Sequence, residues 1–209
     1  MSEPSWQGWL ARTLLSRRRR DGPARVAVVG IGHDLRGDDA AGVAVARVLK
    51  ARLHRHRTRV PRRPILVIDA GPAPENHTAT LRRFAPDVVL LVDSAEMGVR
   101  PGSVRRLRQE AASGVTASTH TLPLSVLCAY LVRETNCVLT LLGIQPAGNG
   151  LGDPLSPVVA RAVERVARSL DRTLTRVGRA ADRFPGGRPA LRSLPATIPE
   201  RGAPSGRPG

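Results

Sequence analysis

The sequence has few aromatic residues and almost no lysine. Aromatic side chains make up 2% of the 209 residues, so valine, leucine, isoleucine and alanine must fill the core of any folded domain. The shortage also leaves too few rings for a base-stacking platform. We therefore expect no specific nucleic-acid function, although the formal net charge is +16. Because Lys50 is the only lysine, arginine supplies the rest of the positive charge.

The chain also has few cysteines and no long apolar run. Cys128 and Cys137 lie in apolar contexts, too far apart for a CxxC pair, and are predicted to be buried thiols in a reducing compartment. No apolar run approaches the ~20 residues of a membrane span. The basic run at 17–20 follows the first apolar residues instead of preceding them, unlike a signal peptide. We therefore expect a cytoplasmic protein.

Composition divides the chain into three parts. Residues 1–23 place Trp6, Trp9 and several leucines at helical spacing among arginines. This pattern predicts a basic amphipathic helix that either packs on the domain or docks on a membrane surface or a partner. Residues 24–177 alternate strand-like and helix-like segments and are predicted to form one domain. Residues 178–209 are rich in Arg, Gly and Pro without a lasting apolar face, which predicts a disordered tail.

The central part predicts an α/β fold. Its apolar runs predict five strands, at 25–31, 64–69, 88–93, 103–107 and 137–144. Amphipathic segments predict helices at about 40–53, 76–84, 122–133 and from 157 onward. Alternation of this kind builds a three-layer α/β/α sandwich on a mostly parallel five-stranded sheet. We expect the fourth strand to lie at an edge of that sheet.

Two aspartates stand between the first strand and the first helix. The strand runs into a glycine loop at Gly30 and Gly32, and Asp38 and Asp39 follow just before the helix. A dinucleotide fingerprint needs a third glycine where Leu35 stands and a helix N-terminus free to bind phosphate. Two carboxylates at that N-terminus would instead attract a cation, so we expect no nucleotide cofactor. One aspartate can cap the helix, which leaves the other available for chemistry.

Acidic residues also end the second and third strands, at Asp69 and Asp93. The carboxyl ends of parallel strands share one edge of a sheet, so Asp39, Asp69 and Asp93 are expected to converge there. His120 precedes a predicted helix and would join them if it shares the same crevice. Two carboxylates and one imidazole form an oxygen/nitrogen site that suits a divalent first-row metal with open positions.

Five blocks of the sequence resemble, in the same order, those of the [NiFe]-hydrogenase maturation endopeptidases. They lie at 30–42 (GIGHDLRGDDAAG), 68–76 (IDAGPAPEN), 91–98 (LVDSAEMG), 119–124 (THTLPL) and 142–146 (LGIQP). The resemblance spans about residues 25–175. The Ala-Pro-Glu-Asn and Gly-Ile-Gln-Pro blocks are most similar to the hydrogenase 3-type, formate-hydrogenlyase-associated branch of that family.

The resemblance implies an aspartic-type endopeptidase that removes a C-terminal peptide from the precursor of a hydrogenase large subunit. In the family this cut follows insertion of nickel into the precursor, so nickel would arrive as part of the substrate. The metal-contacting and catalytic positions of the family fall on Asp39, Asp93 and His120. The precursor is therefore the expected partner, and we expect the protease itself to be a monomer.

Other polar residues near these blocks are predicted to have supporting roles. His33 stands where the family usually has asparagine, and we expect it to stabilise the loop. Asp38 and Asp69 are expected to orient the loop and support the site. His54 and His56 lie among arginines, which disfavour metal binding, so we predict that both are solvated.

The mechanism implied by these residues is conditional on the substrate's metal. Without a cation, crowding the acids together is costly, so the nickel would report that maturation is complete. Either a carboxylate or water held by the metal would attack the peptide carbonyl. No serine or cysteine occupies a nucleophile motif, which argues against an acyl-enzyme.

Two rival functions use the same residues differently. A non-proteolytic maturation chaperone could bind nickel or the precursor through the same three ligands without cutting. A nucleotide-dependent α/β enzyme is disfavoured by the two acids at the start of the first helix.

Overall fold

The computed structural model of the protein describes residues 5–17, 19, 22–55, 64–107 and 123–182. The strands in these ranges are β1 (Val26–Gly30), β2 (Ile65–Asp69), β3 (Val88–Ser94), β4 (Val104–Leu107) and β5 (Val138–Ile144). They form one sheet in the order β2-β1-β3-β5-β4. Every pairing is parallel except that of β4 with β5. The predicted five-stranded, mostly parallel sheet and its edge strand are confirmed.

Helices cover both faces of the sheet. They are α1 (Trp6–Ser16), α2 (Ala41–Arg55), α3 (Thr78–Phe84), α4 (Leu124–Thr135) and α5 (Pro157–Asp182). Short 3-10 turns at Gly37–Ala40 and Pro74–His77 lead into α2 and α3. One apolar cluster joins α1, α2 and α5 to the sheet, and a second joins α3 and α4 to its other face. The predicted three-layer α/β/α sandwich is therefore confirmed.

The central strands are apolar because they are covered on both faces. All residues of β1 and β3 are buried, and successive side chains alternate between the two clusters. In β3, for example, Leu90 belongs to the first cluster and Leu91 to the second. Within β3 only the last two residues, Asp93 and Ser94, are polar. A carboxylate in such a strand is expected to serve a function, because burying it is costly.

The N-terminal helix packs on the domain. Leu10 and Leu14 of α1 are buried in the cluster that also contains α5, and Arg106 of β4 lies over the ring of Trp9, 4.9 Å from its centroid. At the other end of the domain, α5 continues to Asp182, past residue 177. The division of the chain into three parts stays a prediction.

Several sequence predictions fall outside the described residues. They concern His56, His120, part of the basic run at 17–20 and the tail beyond residue 182. His54 is exposed in the last turn of α2, as predicted. In the described parts of the chain, no helix is both long and apolar enough to cross a membrane.

Candidate active site

The order of the strands creates a switch point between β1 and β3. The chain leaves β1 toward β2 on one side and then returns to form β3 on the other side of β1. In open α/β sheets, ligands bind in the crevice at such a point, beyond the carboxyl ends of the strands. The 3-10 turn Gly37–Ala40, here named the acidic turn, follows β1, and Asp93 lies near the end of β3.

Glycines let the acidic turn approach the ends of both strands. Gly32 has a φ of +138°, and a Cβ at this position would overlap the backbone oxygen of Asp39. A Cβ at Gly42 would overlap the backbone oxygen of Val92 in β3. The backbone N–H of Ile31 donates to that same Val92 oxygen at 2.9 Å. The polypeptide after β1 is thus held directly against the end of β3.

Both carboxylate oxygens of Asp38 accept hydrogen bonds from the loop that precedes α5. Its Oδ2 accepts hydrogen bonds from the backbone N–H groups of Ala147 (2.8 Å) and Gly148 (3.2 Å). Ser156 donates its hydroxyl to the same oxygen at 2.8 Å and its backbone N–H to Oδ1 at 2.7 Å. Because both carboxylate oxygens are occupied, Asp38 positions the loop, which is the orienting role predicted for it.

Asp39 has a different environment from its neighbour. Its side chain is buried, with 3% of the residue exposed, and Oδ2 accepts a hydrogen bond from the backbone N–H of His33 at 2.9 Å. Oδ1 is buried and has no hydrogen-bond partner among the described residues. A buried carboxylate oxygen without a partner is costly. Asp39 is therefore the acid of this pair that is available for chemistry.

Asp93 lies fully buried near the end of β3. Its Oδ1 accepts a hydrogen bond from the backbone N–H of Ser94 at 2.8 Å, and it is aligned with Gly143 of β5. Its strand neighbour Val92 is aligned with Gly30, the last residue of β1. The ends of the two strands therefore lie side by side, which brings Asp93 and the acidic turn to the same edge of the sheet.

Gln145 secures the loop that follows β3. Its Oε1 accepts from the backbone N–H of Met97 at 2.7 Å, and its Nε2 donates to Glu96 Oε2 at 2.7 Å. The residue itself is buried. This contact was not anticipated from the sequence, although the Gly-Ile-Gln-Pro block that contains Gln145 was noted as a motif. The available sequence signal for this contact is a polar side chain, Gln145, directly after the apolar strand β5.

Asp69 does not share the environment of Asp39 and Asp93. It ends β2, on the side of β1 away from β3, and its exposed carboxylate contacts Arg47 Nε at 2.6 Å. Arg47 also binds Asp34 at 2.7 Å. The hydrogen bonds from Arg47 to Asp34 and Asp69 raise the pKa of the guanidinium above its usual range. Asp69 is thus neutralised at the surface.

The third predicted ligand stays a prediction, because His120 lies outside the described residues. Within those residues, no group of three or more His, Cys, Asp or Glu side chains is placed to hold a metal ion. His33 stabilises its own loop: its Nδ1 accepts a hydrogen bond from the backbone N–H of Leu35 at 3.2 Å. Asp39 and Asp93 are two buried carboxylates, and the predicted three-ligand site needs one further group.

The environment of both cysteines disfavours the thiolate form that a nucleophile needs. Cys128 and Cys137 are both buried free thiols. Burial raises the pKa of Cys128 to about 12 and also raises the pKa of Cys137. A neutral thiol is a poor nucleophile, so burial disfavours a nucleophilic role for either cysteine.

Comparisons with known proteins point to one family. A family model described as HycI, hydrogenase maturation protease, matches residues 43–172. The hydrogenase 3 maturation protease of Escherichia coli K12 is 33% identical over 142 residues, which cover 68% of this chain and 85% of that protein. A putative hydrogenase maturation protease of Methanocaldococcus jannaschii is 33% identical over 122 residues, which cover 58% of this chain and 72% of that protein.

A solved structure has the same fold. The [NiFe] hydrogenase maturation protease HycI from Thermococcus kodakarensis superposes with a TM-score of 0.64 at 32% identity, covering 72% of this chain and 92% of that chain. The segment matched by the family model contains Asp93 and Gln145 and begins just after the acidic turn.

Proposed function

The chain belongs to the hydrogenase maturation protease family, and on that premise we propose that it cuts the C-terminal extension from a nickel-loaded [NiFe]-hydrogenase large-subunit precursor. The nickel enters the site as part of the substrate. Asp39, Asp93 and His120 bind it and carry the catalysis. Asp38 positions the acidic turn without touching the metal.

The observation that carries this proposal is the environment of Asp39. Its Oδ1 is buried without a hydrogen-bond partner among the described residues, and it lies at the switch point where α/β sheets bind ligands. Asp93 adds a second buried carboxylate at the end of the neighbouring strand. Two buried acids at one edge favour a cation, because a metal ion offsets both their desolvation and their mutual repulsion.

The direction of the Asp93 side chain supports the proposed place of His120. Alternation along β3 puts residue 93 on the same face as Leu91, which belongs to the cluster containing α3 and α4. Helix α4 begins at Leu124, four positions after His120 in the sequence, and Leu124 is buried in that cluster. The segment carrying His120 thus leads into a helix that packs on the face toward which Asp93 points.

The proposed cleavage of the precursor depends on the same two buried acids. A precursor without nickel would add no positive charge to the two acids, whereas the nickel-loaded precursor docks its metal against them. The scissile peptide carbonyl is then attacked either by a carboxylate of the site or by water held at the substrate's metal. The raised pKa of Cys128 supports an aspartic rather than a thiol mechanism.

Intact mass spectrometry of the precursor tests this function. Purified wild-type protein is incubated with precursor carrying nickel and with precursor lacking it. We expect loss of the C-terminal extension only from the nickel-loaded form. Asp39→Asn, Asp93→Asn and His120→Ala should each slow trimming by about 100-fold or more, since each removes a group that acts in the transition state.

Asp69→Asn is the matched control, because it makes the same change at the end of β2, where the carboxylate is paired with Arg47. It should trim at a rate within about two-fold of wild type, as expected for an exposed ion pair. Wild-type protein that binds the precursor but leaves its mass unchanged would favour the chaperone. Trimming by Asp39→Asn at the wild-type rate would contradict the assigned site.

A further inference from the structure

A strongly basic groove lies between α1, α5 and the segment that leads into β4. It has a volume of about 670 Å³ and is lined by the loop after β3, by α5 and by the start of α1. Four arginines line it: Arg100, Arg165, Arg168 and Arg172. None of the described residues that line it is acidic. We name this feature the arginine groove.

Within the described residues, the guanidinium groups of the arginine groove have no acidic partner. Arg165 donates to the backbone oxygen of Gly102 at 3.0 Å, which orients its guanidinium at the wall. None of the ion pairs formed among the described residues includes Arg100, Arg165, Arg168 or Arg172. Four like charges around one concave surface create a positive potential that an anionic ligand would relieve.

One wall of the groove reaches the edge of the sheet at which the candidate site lies. Val104, one of its lining residues, is aligned with Ile144 of β5, and Ile144 is aligned on its other side with Ser94 of β3. The backbone N–H of Gly102 donates to the backbone oxygen of Gln145 at 2.8 Å. Gln145 in turn holds the loop that follows Asp93. Val104, at one wall of the groove, therefore lies two strand pairings from the end of β3, where Asp93 is located.

We propose that the arginine groove binds a carboxylate-rich segment of the hydrogenase precursor while the precursor's metal occupies the acidic site. The inference rests on the proposed function, since it assigns a second contact to the same substrate. Guanidinium groups bind carboxylates through paired, charge-assisted hydrogen bonds, which makes arginine better suited than lysine to this task. Binding at two places on one substrate also orients the scissile bond.

A peptide fits the groove better than a nucleic acid does. Trp6 is the only aromatic side chain among the described residues that line it, whereas single-stranded nucleic acids are held by several rings that stack on successive bases. Trp6 and Gln7 also lie outside the segment matched by the family model.

A charge reversal on α5 tests the inference. The variant Arg168→Glu/Arg172→Glu reverses two exposed groove arginines, and Arg161→Glu/Arg176→Glu makes the same change in charge on the same helix outside the groove. We expect KM for trimming of the nickel-loaded precursor to rise about 10-fold or more in the groove variant, with kcat within about two-fold of wild type. The control variant should keep the wild-type KM. Equal KM values in the two variants would overturn the inference.

A binding measurement separates failure of the inference from failure of the proposed function. Fluorescence anisotropy with a short labelled oligoglutamate peptide needs no trimming activity, and added salt should weaken the complex. We expect the groove variant to bind this probe about 10-fold more weakly than the control variant does. If wild type fails to trim any precursor, the proposed function is wrong, and this measurement still decides what the groove binds. Stronger groove-dependent binding of a short oligothymidylate than of oligoglutamate would overturn the peptide assignment.

Discussion

The segments that follow β1 and β2 begin alike and end differently. Both follow parallel strands that end at the same edge of the sheet. Each contains a glycine with positive φ, Gly32 or Gly71, and each then forms a 3-10 turn with acidic residues. Around Gly32, however, the backbone of the acidic turn fills the space where a Cβ would lie, whereas nothing lies within 4 Å of that place at Gly71.

The acids of the two segments differ in burial and in their partners. Asp69 at the end of β2 is exposed and contacts Arg47 at 2.6 Å, so its charge is neutralised. Asp39, after β1, is buried, and its Oδ1 has no hydrogen-bond partner among the described residues. Of these two acids, Asp69 is paired with an arginine, whereas Asp39 keeps a buried oxygen that no described residue bonds.

The largest expected difference in stability is between variants of the two glycines, Gly32 and Gly71. Gly32→Ala would drive a Cβ into the backbone oxygen of Asp39 and keep an unfavourable φ, so we expect a loss of about 3 kcal/mol in the free energy of unfolding. Gly71→Ala should lower the free energy of unfolding only through its left-handed backbone conformation, by about 1 kcal/mol. Urea denaturation of both variants measures the difference. Equal losses would mean that the close approach of the acidic turn contributes nothing to stability.

Asp38→Ala should have the next largest effect. The change removes an acceptor that serves two hydrogen bonds from Ser156 and one each from Ala147 and Gly148. Leaving those donors unsatisfied should cost about 2 kcal/mol. Asp69→Ala, which removes only an exposed ion pair, should cost less than about 1 kcal/mol. Thermal unfolding at matched pH compares them, and a greater loss for Asp69→Ala would reverse the comparison.

Arg47→Met should have a smaller effect, because it removes exposed ion pairs with Asp34 and Asp69. We expect a change of less than about 1 kcal/mol in stability, and a smaller one still at high salt. Trimming of the nickel-loaded precursor should stay at the wild-type rate. A large loss of trimming would show that the segment after β2 takes part in the chemistry after all.

The smallest effect is expected from thiol reagents, since neither segment contains a cysteine. With a pKa of about 12 for Cys128, the thiolate fraction at pH 8 is about 10⁻⁴. Iodoacetamide should therefore label the folded protein very slowly, and trimming should persist. The labelling rate should rise with pH toward that pKa and rise sharply on unfolding. Mass spectrometry of the alkylated protein checks both, and fast labelling with loss of trimming would contradict the carboxylate mechanism.

Much of the fold follows from local patterns in the sequence. The apolar run at 88–93 predicted β3 because a strand covered on both faces is apolar at every position. The short basic strand at 103–107 was expected at an edge and lies there. The acidic turn was recognised because glycines and adjacent carboxylates before a helix form a local motif.

Other parts of the site depend on contacts between residues far apart in the chain. The sequence alone does not distinguish the roles of the adjacent residues Asp38 and Asp39. In the structure, Ser156 donates hydrogen bonds to Asp38 and not to Asp39. The expected convergence of Asp69 with the other acids did not anticipate Arg47, which comes from α2. The arginine groove likewise combines the start of α1, the loop after β3 and the middle of α5.

The sequence by itself determined the elements, the three-layer class and the placing of acids at the ends of parallel strands. Hydrophobic periodicity and turn residues act over a few positions, so a single stretch of chain is enough to specify them. Only the tertiary structure decided which acid would pair with an arginine and which would stay buried with an oxygen that no described residue bonds. That choice depends on which donors and cations the other elements bring near each carboxylate, and a local pattern contains no information about them.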